Sequence, residues 1–177
     1  MGDPSIEEKE LLDKIILTKD SFKFKPSYNE DRLDKFRMTN PTDALISFKI
    51  KSTRLKQLGS KPSYGTLKPK RGLYVTVKFY KLTGEFDGNA DHLTVYLGIL
   101  PKDKENMKPS QFWRTAAPAT TRRVVINVEY DPAIEGVPPA AGAEAPAPAP
   151  AAPPPPAEGA PEKKEDEGED EEGEEGE

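Results

Sequence analysis

The chain has 177 residues and a net charge of −5 that is unevenly divided: residues 1–130 carry 24 basic and 16 acidic side chains, whereas 131–177 carry two lysines and 15 acids. The acidic part also holds 11 of the 19 prolines and almost nothing large and apolar, so it cannot bury enough surface to offset its ordering entropy and is expected to be disordered. The remainder suits one domain with one core, and the lack of cysteine excludes disulfides, thiolate metal sites and a cysteine nucleophile.

The opening "MGDPSIEEKELLDK" has neither the basic start nor the apolar run of a signal peptide. No stretch approaches the ~20 apolar residues that span a bilayer. A soluble, cytoplasmic protein without membrane insertion is therefore expected. Within residues 1–14, Ser5 and Glu8 have capping-box spacing for a short helix. A helix of about ten residues is marginal alone, so it either docks or frays, and fraying is expected.

From residue 15 the chain alternates with a period of two. Short strands are expected at 15–17, 21–24 and 34–38. In "ALISFKIKS", Ile46, Phe48 and Ile50 share one face and Ser47, Lys49 and Lys51 the other. "LYVTVKFYK" sets Leu73, Val75, Val77 and Phe79 against Tyr74, Thr76, Lys78 and Tyr80. "HLTVYLGIL" and "RRVVINVEY" repeat the pattern with Leu93, Val95, Leu97 and Ile99, then Val124, Ile126, Val128 and Tyr130. Turn signals separate these runs at 40–43, 61–65, 68–72 and 86–91. About seven strands with no internal helix imply two packed antiparallel sheets, a β-sandwich over residues 15–131. A Pro/Ala-rich linker (132–161) follows, favouring polyproline II. The acidic tail (162–177) has 11 acids in 16 residues, and the linker gives it the reach to approach a basic surface.

Such a surface is suggested by residues 48–71, "FKIKSTRLKQLGSKPSYGTLKPKR", where eight of 24 residues are Lys or Arg and none is acidic. Lys49, Lys51, Arg54, Lys56 and Lys61 are the candidate protein-binding residues. A nucleic-acid groove interleaves exposed aromatics with its cations, and Tyr64 alone does so here, so no specific nucleic acid is expected. Asp87, Asn89 and Asp91 have the spacing that opens an EF-hand loop, but His92 stands where Gly must turn and Gly98 where Glu must ligate. A turn is expected instead of a metal site. One histidine, no phosphate-binding glycine loop and no nucleophile elbow leave no sign of an enzyme or a cofactor.

The order of "MTNPTDALISFKIKST", the basic bend, "PSYGTLKPK", "NADHLTVYLGILP" and "TTRRVVINVEYDP" resembles the major sperm protein (MSP) domain family. The resemblance spans roughly 15–132. It implies an immunoglobulin-like, seven-stranded sandwich without enzymatic activity. It further implies a protein of the nematode sperm cytoskeleton that binds MSP filaments or other MSP-domain proteins, with a homodimer as a possibility, and modulates assembly or bundling in the pseudopod. The linker and tail depart from the bulk filament subunit and suggest an accessory protein. An alternative implied by the family is an adaptor for acidic FFAT-like peptides, for which Lys49, Lys51, Ser52 and Thr53 match. Against it, Leu33 and Asp34 stand near the family's threonine pair, and His92 and Thr94 replace its Lys-x-Met.

Overall fold

The computed structural model describes residues 4–138, so the linker from 139 and the acidic tail lie outside the described residues. In chain order the elements are helix α1 (Pro4–Asp13), strands β1 (Ile16–Leu17), β2 (Ser21–Phe24), β3 (Arg32–Asn40), β4 (Ile46–Ser52), β5 (Leu58–Lys61), β6 (Tyr64–Leu67), β7 (Arg71–Phe79) and β8 (Asp91–Ile99). A 3-10 turn at Lys102–Lys104, helix α2 (Pro109–Thr115) and strand β9 (Thr121–Tyr130) complete them.

The strands form two sheets, ordered β1-β3-β7-β5 and β2-β9-β8-β4-β6. All pairings are antiparallel except β2 with β9. The nine strands among the described residues reduce to the expected seven, because the chain changes sheets between β1 and β2 and again between β5 and β6. Each of those pairs is one strand broken at the sandwich margin. Pro62, which cannot donate to a ladder, stands at the second break.

Between the sheets, Phe36, Phe48 and Phe79 are at most 1 % exposed and pack with Val77, Leu97 and Ile126. These are the inward positions of the alternating runs, so register and burial agree. Asn40 shows how the β3–β4 turn is fixed. Its buried amide donates to the Ala44 and Leu67 carbonyls at 2.7 and 3.2 Å, and its Oδ1 accepts from the Thr42 backbone and hydroxyl at 3.0 and 2.7 Å.

Two expectations fail. Helix α1 begins at Pro4, a residue ahead of the cap read at Ser5, and it docks instead of fraying. Leu12 and Ile15 are buried in the core. Arg122 on β9 explains the docking: its Nη1 donates to the carbonyls of Leu12, Asp13 and Ile15 at 2.8, 3.2 and 2.9 Å. A guanidinium there satisfies orphan carbonyls and complements the helix dipole. Arg122→Ala is expected to release α1, with amide-exchange protection lost at residues 4–15 and a cost of about 1–2 kcal/mol.

The second failure is the internal helix. Phe112 and Trp113 of α2 are buried with Leu100, against Leu45, Tyr96, Met107 and Ala116. Helix α2 and the chain to Pro118 thereby cover part of the second sheet's outer face. Ser47, read as wet, is fully buried. At Gly98 a Cβ would fall 2.2 Å from Pro118 Cγ, so only glycine admits this close approach.

Candidate protein-binding face

Lys49 and Lys51 leave β4 on the outer side of the second sheet. Register places Lys49 between Tyr64 of β6 and Tyr96 of β8, with Arg123 of β9 beyond Tyr96. The Lys49 ammonium lies 4.6 Å from the centre of the Trp113 ring and 5.1 Å from that of Tyr96. Lys51 approaches Tyr96 at 5.8 Å. Lys49, Lys51 and Tyr64, with Ser110, Trp113 and Arg114 from α2, border a cleft of about 440 Å³.

The electrostatics of the cleft are unbalanced. Partial burial pushes the Lys49 ammonium below its ordinary value, and the neighbouring charge of Lys51 adds to this. Among the described residues neither lysine has a carboxylate partner; ring faces alone compensate Lys49, a contribution of roughly 0.5–2 kcal/mol. A carboxylate entering the cleft would restore the missing counter-charge. The aromatic walls suit an apolar neighbour of that carboxylate. The cleft holds cations, a serine and rings, an arrangement chemically complementary to an anionic segment.

The five basic residues singled out in the sequence do not form one face. Arg54 is internally committed: Nε lies 2.5 Å from Asp91 and Nη2 2.6 Å from Asp87, with the guanidinium over Phe86 and Tyr130 at 5.0 and 5.9 Å. Lys56 is exposed beside a broad depression that Lys78, Tyr80 and Lys81 also border. Lys61 ends β5 on the first sheet, opposite Thr76. Lys49 and Lys51 alone remain together.

The arginine explains the Asp-x-Asn-x-Asp spacing. Burial would raise the Asp91 carboxyl, but hydrogen bonds from Arg54, Thr53 and Tyr130 outweigh it and hold the group below the usual range. Thr53 donates at 2.8 Å and Tyr130 at 2.9 Å. The hydrogen bond from Arg54 likewise depresses Asp87. Burial and the Asp91 carboxylate raise the Tyr130 phenol. The two carboxylates serve an arginine latch that ties the β4–β5 bend to the 86–91 loop and the end of β9.

The objection raised by Asp34 does not hold. It lies on β3 in the first sheet and pairs with Lys19 at 2.5 Å, so it cannot oppose a ligand at Lys49. His92 sits on β8 opposite Asn127, and its backbone N–H donates to the Thr53 hydroxyl at 3.0 Å. Sequence reading missed Tyr96, Ser110, Trp113 and Arg114. Tyr96 was legible as an outward phase of β8. Pro109 opening a short run with an adjacent Phe112 and Trp113 was the available signal for α2.

Two sheets, with seven strands among the described residues after the sheet changes are joined, define an immunoglobulin-like sandwich. Residues 15–118 match the family model of the MSP (major sperm protein) domain. Major sperm protein 38 of Caenorhabditis elegans is 26 % identical over 110 residues, 62 % of this chain and 85 % of that protein. The solved structure of WR4, a C. elegans MSP family member, superposes with a TM-score of 0.53 at 14 % identity, covering 66 % of this chain and 97 % of its own. SSP-19, an MSP-domain protein-like family member of C. elegans, gives a TM-score of 0.47 at 20 % identity, covering 60 % and 92 %. The chain belongs to the MSP domain family.

Proposed function

We propose that this protein is a non-enzymatic, cytoplasmic component of the nematode sperm cytoskeleton that binds MSP filaments and modulates their assembly or bundling. The observation that carries a binding role is the Lys49–Trp113 cleft: a partly buried cation, a second cation and aromatic walls with no acidic partner among the described residues. Membership of the MSP domain family supports a partner that itself carries MSP domains, and the filament is the partner proposed. The cleft face, and not strand pairing, is the contact. The marginal strands β1, β2, β5 and β6 have only two to four residues each, too few for a ladder of consequence.

A second reading, an adaptor for acidic FFAT-like peptides, is favoured by the same cleft, since Lys49 and Lys51 match the family positions and Asp34 is remote from them.

Co-sedimentation with assembled MSP filaments decides between the two. The wild-type chain is expected in the pellet, and Lys49→Glu with Lys51→Glu in the supernatant. The one tryptophan in the chain lies at the cleft, so its emission reports occupancy directly. Titration by an acidic FFAT peptide that changes this emission, without any filament association, would favour the adaptor. Pelleting that survives the double substitution would remove the cleft from the interface.

A further inference from the structure

The opposite side of the sandwich carries a second surface of the same chemistry. On the outer face of the first sheet, β3 presents Leu33, Lys35 and Arg37, β7 presents Tyr74, Thr76 and Lys78, and β5 presents Lys61. The rows across the sheet are Leu33–Lys78, Lys35–Thr76–Lys61 and Arg37–Tyr74. No helix covers them: Leu33 is 65 % exposed and Tyr74 59 %. The rows hold four cations and no carboxylate. Lys78 is matched, at 2.6 Å, by Asp31 beyond the end of β3. Lys35, Arg37 and Lys61 have no acidic partner among the described residues.

We infer that this face is a second docking site for an acidic polypeptide segment, so that one domain holds two such segments on its two outer faces. The inference rests on the binding role proposed for the Lys49 cleft. Charge selects the partner: three unmatched cations flank an exposed leucine and tyrosine, the complement of a chain that alternates carboxylates with apolar side chains. A second copy of this surface would meet like charge, so the face does not pair with itself. The rings also argue against a nucleic acid. Lys35 and Arg37 lie 5.4 and 5.7 Å from the Tyr74 centroid, and Lys78 lies 4.6 Å from that of Tyr80. Cations already occupy the positions where bases would stack. Two outward-facing sites on one rigid sandwich make a bridge, and bridging acidic partners is what bundling requires.

The test uses the full chain and a synthetic peptide of alternating Glu and Phe, with stoichiometry read by sedimentation equilibrium at low salt. Two peptides per chain are expected for the wild type. Lys35→Glu with Arg37→Glu should leave one, with tryptophan emission still responding. Lys49→Glu with Lys51→Glu should also leave one, but with the emission response gone. Each lost site should weaken by roughly tenfold or more. A single peptide per wild-type chain, insensitive to the Lys35/Arg37 pair, overturns the second site while leaving the cleft intact. Unchanged binding in the Lys49/Lys51 variant instead overturns the cleft. Should the charge reversals disturb folding, peptide-induced amide shifts at Tyr74 and Thr76 in the wild-type chain decide, and their absence overturns the inference. Oligothymidylate that binds the wild type and is lost with Lys35/Arg37 would replace the acidic polypeptide by a nucleic acid and overturn it equally.

Discussion

Arg54→Ala is expected to destabilise the domain by about 3 kcal/mol, the lower end of the range for removing one partner of a buried ion pair. The lower end applies because the Arg54 side chain keeps 21 % of its exposure and Asp91 10 %. The substitution strands the Asp91 carboxylate with only Thr53 and Tyr130 to satisfy it, and frees Phe86 and Tyr130 from the guanidinium that caps them. The pH dependence supplies a second signature. Asp87 and Asp91 are depressed in the folded state. The stability they contribute is therefore complete above their unfolded values, near pH 4, and is lost as pH falls through the lower folded values. Urea melts of the wild type should weaken below about pH 4. The Arg54→Ala variant should show a shallower loss over that interval, since the depression that creates it is largely gone. An interface role for Arg54 would instead leave the melts unchanged and reduce filament binding alone.

The second large effect is at Trp113. The residue is 7 % exposed, and its ring packs edge-on with Phe112 at 6.1 Å between centroids and supports the Lys49 ammonium. Trp113→Ala should cost about 3–5 kcal/mol in stability and abolish binding at the cleft, because Lys49 loses both its platform and one wall. Trp113→Phe separates these consequences. The indole N–H is buried with no acceptor among the described residues, and leaving such a donor unmade costs about 1–3 kcal/mol. Phenylalanine removes that penalty while giving up some packing, so thermal melts should place it within about 1 kcal/mol of wild type. It should also retain binding measured by calorimetry. A Phe variant as unstable as the Ala variant would show that the indole N–H is satisfied after all.

The residues whose environment was legible in the sequence are those governed by local alternation. Phe48, Val77, Leu97 and Ile126 follow the period of their own strands, and their neighbours across the core impose nothing that contradicts it. The missed elements depend on distant partners. Strands β5 and β6 read "LGSK" and "YGTL", with no alternation to mark them; each exists because a full-length neighbour offers it hydrogen bonds. Helix α1 docks through Arg122, which is 110 residues from Leu12. Arg54 was read as a surface cation because the carboxylates that hold it lie 33 and 37 residues further on. The same distance effect split the basic stretch. Lys49 and Lys61 are separated by a sheet change that no periodicity announces, and the cleft was completed by a helix too short to show a period.

The brief marginal strands have a consequence for reversibility. A polymer joined by continuous backbone ladders resembles amyloid, kinetically trapped and indifferent to ionic strength. The edge strands of this sandwich are only two to four residues long, with Pro26, Pro62 and Pro69 standing at or just past the ends of three of them. Under the function proposed above, its contacts run through side chains on the broad faces, where attraction between charges fades within about 8 Å at physiological salt. Such junctions form and part on the timescale of diffusion and local ion concentration. Under that function, such contacts would let an assembly be dismantled as readily as it is built.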